Sequence, residues 1–180
     1  MPRRPFLPVL ATGVLALALG ACTGSGEPEP ATPDGWQRVT SGALSFAVPG
    51  DWVEVGQVDG TWTVGWSDDA DPGADSVLLV GAPLLGEDGA QAGLDAFVAG
   101  AQVGGWGYRS TDRSTPVDTE SLEVARNDFT YDDVSGVVWS AADPRGGVTV
   151  GLQLTGRDLP EDLLDGIEQS IAVDREAQAS

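Results

Sequence analysis

The sequence predicts an α+β domain: an antiparallel β-sheet of about six to eight strands with two main helices packed on it. Three observations predict it. Short runs alternate apolar and polar residues with a period of two, Gly/Pro/Asp turn signals separate those runs, and just two segments switch to helical spacing. Read in order, these signals give about five strands, a helix, three or so strands and a terminal helix.

The elements follow from Trp36 onward. Leu44, Phe46 and Val48 alternate with Ser45 and Ala47, and Pro49-Gly50-Asp51 ends the run. Trp62, Val64 and Trp66 alternate with Thr61, Thr63 and Gly65 after the hairpin-type pair Asp59-Gly60. Side chains two apart on a strand share a face, so Trp62 and Trp66 are expected together. Ser76 to Leu85 is apolar on both parities, the mark of a central strand covered on both sides. Leu122–Tyr131 and Val134–Ala141 read as a hairpin about Asp132-Asp133. Val148, Val150, Leu152 and Leu154 alternate with Thr149, Gly151, Gln153 and Thr155, the cleanest amphipathic strand in the chain.

The first helical segment has Leu94, Phe97, Val98 and Ala101 at i, i+3, i+4 and i+7. Asp88 is a candidate cap, and Gly104-Gly105 a stop. The second has Leu163, Ile167 and Ile171 on one stripe. Asp158 with Glu161 matches a capping box, Pro160 suits the first turn, and the helix is expected to run out at Gln169–Val173.

The N-terminus has its own organisation. Residues 1–21 form the three parts of an export signal: Arg3 and Arg4, an apolar run from Phe6 to Leu19, then small residues ending at the cleavage position Ala21. The apolar run is short for a membrane span. Leu19-Gly20-Ala21-Cys22 resembles the lipobox of bacterial lipoproteins. That resemblance implies cleavage before Cys22, diacylglycerol on its sulfur and a stable membrane anchor. Arg3-Arg4-Pro5-Phe6-Leu7 also resembles the core of a twin-arginine signal, so both export routes stay open. Residues 22–35 make up the lipidated terminus and a Pro/Gly-rich linker. Its Glu-Pro alternation favours extended polyproline II, and at roughly 3 Å per residue it lifts a domain about 40 Å from the anchor. Residues 36–175 are expected to form a single globular α+β domain, and 176–180 a disordered tail.

Composition excludes several chemistries. There are 28 acidic residues, nine Arg, no Lys and no His. Without the signal, seven Arg face 28 acids, a net of −21. Such a surface repels polyanions and argues against nucleic acid. The same composition also fits a genomic bias toward Asp, Ala, Gly, Val and Arg. Without His there is no Ser-His-Asp triad and no imidazole ligand, and without Lys no Schiff base. Cys22 is the single cysteine, so the domain has neither a disulfide nor a thiol nucleophile. No cofactor is expected.

Gly42 to Trp52 (GALSFAVPGDW), the early β-meander, the mid-chain helix and the closing Gln169-Ser170-Ile171-Ala172-Val173 together resemble the PsbP/Mog-like fold. Small lipoproteins of the LpqN kind are similar in plan. The resemblance covers about Trp36 to Asp174 and rests on hydrophobic pattern. It implies a non-enzymatic role in binding or scaffolding another envelope protein, and it carries over no functional residues.

Candidate site residues are few. Asp68, Asp69, Asp71 and Asp75 cluster within eight residues, as calcium sites do. However, Gly73 stands where an EF-hand would place a third acid, and no glutamate closes the loop. A solvated turn about Pro72-Gly73 is the competing reading. With 28 acids, a carboxylate pair able to act as a hydrolase is always available, so the sequence does not single one out. Of six tryptophans, Trp62, Trp66 and the loop residue Trp106 are candidates for a binding face, against core packing as the alternative. A ligand, glycan or lipid binder would show a concave aromatic pocket with few charges. A scaffold would show an exposed apolar patch rimmed by acid.

Overall fold

The computed structural model describes residues 30–56, 58, 62–73, 76–82, 89–104, 107–145 and 147–174. In chain order the elements are β1 (Trp36–Ser41), β2 (Leu44–Pro49), β3 (Val53–Glu54), β4 (Val64–Ser67), β5 (Leu78–Ala82), α1 (Ala90–Gly104), β6 (Arg109–Asp118), β7 (Glu123–Tyr131), β8 (Val134–Ala142), β9 (Thr149–Gly156), α2 (Glu161–Ser170) and β10 (Ala172–Val173). The fold is α+β. A seven-stranded antiparallel sheet has the order β3-β4-β5-β9-β8-β7-β6, and a smaller one has the order β1-β2-β10.

The large sheet is the middle layer. On one face lie the small sheet and α2. There Val39, Phe46 and Val48 from the small sheet and Ile167 and Ile171 from the α2 end meet Leu79, Trp139, Leu152 and Leu154. On the other face lies α1, whose Ala90, Leu94 and Val98 pack on Ala125, Phe129, Val138 and Ala142. β9 is the central strand, and both of its faces are covered. Val150, Leu152 and Leu154 enter the α2-side core, and Thr149 and Gly151 are buried as well. β5 is also covered twice, with Leu79 on the α2 side and Val80 on the other. The β7–β8 hairpin turns at Asp132, whose φ of 52° is the left-handed conformation that Asp and Asn tolerate.

Four local features depart from the pattern in the sequence. Trp62 and Trp66 do not share a face: the ladder starts at Val64, so Trp62 lies outside the strand alternation. Trp62 packs with Val80, Leu78 and Phe97, while Trp66 packs on the opposite core. Among the described residues no side chain caps α2. Pro160 occupies the N-cap, its carbonyl accepts from the Leu163 and Leu164 amides, and Glu161 and Asp162 in the first turn complement the helix dipole. Residues Ala172–Val173 are a strand on β2, because Ile171 is already extended (φ −63°, ψ 131°). β6 is an additional strand that the hydrophobic pattern does not signal.

Polar contacts fix α2 in place. Ser170 Oγ accepts from the Ala47 amide at 2.8 Å and donates to the Ile167 carbonyl at 2.7 Å. Arg38 Nη1 donates to the Ser170 carbonyl (3.1 Å) and to Ser45 Oγ (3.0 Å), and its Nε donates to Thr32 Oγ1 (3.2 Å). The end of the linker is thereby clipped to the α2 terminus.

Candidate functional site

The α1 side of the sheet holds the candidate site. α1 starts where Glu123 Oε2 of β7 accepts the Ala90 amide (3.2 Å) and Thr149 Oγ1 of β9 accepts the Gly89 amide (3.2 Å). Neighbouring strands therefore satisfy free amides at its N-terminus. The predicted cap, Asp88, lies outside the described residues. Phe97 anchors the middle of the helix against Trp62, with ring centroids 5.6 Å apart.

The helix ends at Gly104, before it has covered the far end of β7, β8 and β9. An open pocket of about 320 Å³ remains there, lined by Ala101, Tyr108, Phe129, Tyr131, Val134, Gln153 and Thr155. Strand alternation explains the strand part of that lining. Phe129 and Tyr131 on β7, Val134 on β8, and Gln153 and Thr155 on β9 occupy the positions that face α1. Phe129 forms the floor at 5% exposure, and Tyr108 stacks on it at 4.8 Å and 25°. Tyr131 is 37% exposed at the mouth. Among the described lining residues none is charged.

A buried polar group sets the Tyr108 phenol. Asn127 is fully buried; its Nδ2 donates to the Tyr108 hydroxyl at 3.0 Å and to the Asp128 carbonyl at 3.2 Å. Its Oδ1 accepts from Ser110 Oγ and from Arg113 Nε, the latter at 3.2 Å. Arg113 also reaches Asp95 of α1 at 2.6 Å. Burial pushes the Tyr108 phenol above its ordinary value, an effect that the nearby Arg113 charge partly opposes.

A charged cluster lies on the α2 side. Arg126 donates from Nε and Nη2 to the two Asp128 oxygens (2.7 and 3.1 Å) and from Nη1 to Glu168 Oε2 (3.2 Å). Trp139 Nε1 donates to the same Glu168 oxygen at 2.9 Å, and the guanidinium lies 6.0 Å from the Trp139 ring centroid. The hydrogen bonds that Arg126 donates to Asp128 are the main reason that its pKa rises further, and they outweigh the opposing effect of burial. Both carboxylates are thus engaged by a cation, and the cluster joins α2 to the sheet.

The predicted site residues are dispersed. Trp62 is 7% exposed and spends its surface on core contacts. Trp66 is half-buried, and its Nε1 is buried with no hydrogen-bond partner among the described residues. Asp68 Oδ1 accepts the Val77 amide (2.8 Å), and Asp69 Oδ1 accepts the Asp71 amide (3.0 Å), so two of the acidic group act as turn acceptors. Among the described residues no three acidic side chains converge as metal ligands. Asp75, Trp106, Ala21 and Cys22 lie outside the described residues. Sequence reasoning missed Tyr108, Phe129, Tyr131, Gln153 and Thr155. The available signal was Gln153 and Thr155 on the polar parity of an otherwise apolar strand, with Tyr131 next to the Asp132 turn.

No protein-family model and no curated protein matches the chain. Among the described residues no helix is long and apolar enough to cross a membrane.

Proposed function

We propose that this chain is an exported lipoprotein, anchored to the membrane through Cys22, whose domain is a non-enzymatic binding or scaffold module for another protein of the cell envelope. Its kinship to the PsbP/Mog-like fold belongs to the same proposal. The outward face of α1 is the observation that supports it. Ala92, Ala96, Ala99, Gly100 and Val103 are exposed, Val103 at 92%. In a chain with 28 acids, this fifteen-residue helix carries one charge, Asp95, which is held by Arg113. Depletion of charge is the compositional mark of an interface core, and small side chains let a partner's backbone approach closely. Acid elsewhere on the surface favours a partner with a basic rim.

Native mass spectrometry of the full-length protein, released gently from its own membrane, tests this reading. The expected species begins at diacylated Cys22 and carries a second protein, and Val103→Asp removes that protein without moving the melting temperature. A species without lipid, or with residues 1–21 attached, rejects the anchor. A lipidated species that is always alone rejects the scaffold.

A further inference from the structure

The pocket beyond the end of α1 is a separate feature from the outward face of that helix, and its chemistry is different. Its described lining combines aromatic surface with hydrogen-bonding groups and carries no charge. Gln153 is the informative residue. It stands on the central strand β9, half-buried, and its carboxamide makes no hydrogen bond with the rest of the described protein. An apolar occupant, such as a leucine side chain or an acyl chain, would bury that amide unpaired, which is the unfavourable case. A polyhydroxyl occupant would pair with it.

Tyr108 points to the same class. Its oxygen already accepts from Asn127, so its own proton is left to donate, and Asn127 is held rigidly by Ser110 and Arg113. A fully buried asparagine with both ends bound is a fixed support for one phenol. Thr155 donates weakly to the Leu78 carbonyl at 3.4 Å, which leaves its oxygen free to accept. Tyr131 offers a ring at the mouth with no aromatic partner among the described residues. A volume of about 320 Å³ is at the small end for ligand sites and fits one ring and its substituents. An anionic ligand would meet an acidic protein without a lysine, and a cationic one would find no carboxylate among the described lining residues.

We infer that this pocket is a carbohydrate subsite for one neutral hexopyranose unit, with the apolar face of the sugar on Tyr131 and its hydroxyls paired with the Gln153 carboxamide and the Tyr108 hydroxyl. It is independent of the helix-face reading, and Val103→Asp leaves it intact.

The test uses the full-length protein in lipid nanodiscs, free of sugar detergents. Saturation-transfer NMR and titration are run with methyl glucopyranoside, mannopyranoside and galactopyranoside, with glucuronate as the charged control and N-phenylnaphthylamine as the apolar one. At least one neutral pyranoside binds with a Kd on the order of millimolar, the range set by about a dozen heavy atoms. Tyr131→Ala and Gln153→Ala each weaken it about tenfold or more, the size of one lost pairing, and the melting temperature holds. Glucuronate binds more weakly than the neutral sugar. Silence from every pyranoside overturns the inference, as does binding that Tyr131→Ala and Gln153→Ala leave unchanged. If naphthylamine fills the pocket, Gln153→Leu tightens it and the sugars stay silent, the pocket is an apolar site and the inference falls.

Discussion

The two faces of the seven-stranded sheet are built from different materials. Toward α2 and the small sheet stand Phe46, Trp139, Leu152, Leu154 and Ile167, all essentially inaccessible to solvent and closed over by the Arg126–Glu168–Trp139 contacts. Toward α1 the sheet sets Phe129, Val138 and Val80 among the small residues Ala125, Ser140, Ala142 and Gly151, and the helix adds mainly Leu94 and Val98 as large aliphatic cover. Burying a large apolar side chain is worth about 1.5–3 kcal/mol, whereas an alanine brings far less area out of water. The α2 face therefore carries most of the stability. The α1 face is left with a thin helix, an outer surface on which Asp95 is the helix's one charge, and an aromatic pocket. Both candidate interaction surfaces lie on the side that contributes least to holding the fold.

The strongest way to break that division is to truncate one large residue on each face. Trp139→Ala should cost about 3–5 kcal/mol, as buried Trp truncations do, and it also removes the donor to Glu168. Tyr131→Ala should change stability by no more than about 0.5 kcal/mol, as surface substitutions do. Guanidinium denaturation midpoints measure both. Comparable losses would mean that the α1 face is as structural as its opposite. An intermediate effect belongs to Gly136, where an added Cβ would overlap the Phe129 ring. Gly136→Ala should destabilise by about 1–3 kcal/mol, the usual cost of overpacking. Because Phe129 floors the pocket, this variant should also perturb the Tyr108 and Tyr131 resonances while leaving those of Trp139 in place.

A smaller effect should appear in alkali. Burial holds the Tyr108 phenol protonated to a higher pH in the folded chain than in the unfolded one. Above the ordinary phenol value of about 10, the folded state then binds more protons than the unfolded state, so stability falls as pH rises through that range. Denaturation midpoints between neutral pH and pH 11 should show this limb, and Tyr108→Phe should flatten it. A limb that persists unchanged in the variant would assign it to other groups.

Legibility in the sequence followed burial contrast. The β7–β8 hairpin and β9 were readable because one parity of each is apolar and a turn signal flanks it. β6 was not, since Arg109 to Asp118 is almost wholly exposed and so has no hydrophobic period. It is an edge strand broken by two register shifts, and Pro116 falls within the second, features that discourage further pairing. Trp62 broke the alternation because the strand begins two residues later, a boundary that periodicity cannot locate. The α1 cap was hidden for another reason: Glu123 and Thr149 reach it from 33 and 60 residues away. The pocket was half legible. Its aromatic and amide groups come from α1-facing positions on β7 and β9, but Gln153 and Thr155 read as a solvent face until α1 is laid across that side and stops short.

The smallest expected effect tests how fully the α1 side is packed. Ser140 sits on β8 beneath α1, entirely buried, and its hydroxyl has no hydrogen-bond partner among the described residues. A buried unpaired hydroxyl is a net penalty, because its bonds to water are lost and not replaced. Ser140→Ala removes that penalty with little change in volume. It should therefore stabilise the domain by about 0.5–1 kcal/mol, offset in part by the weaker strand preference of alanine. Differential scanning calorimetry resolves a shift of this size. A clear loss of stability would show that the hydroxyl is satisfied in solution by a trapped water, and the α1 face would then be less tightly packed than the dry core opposite it.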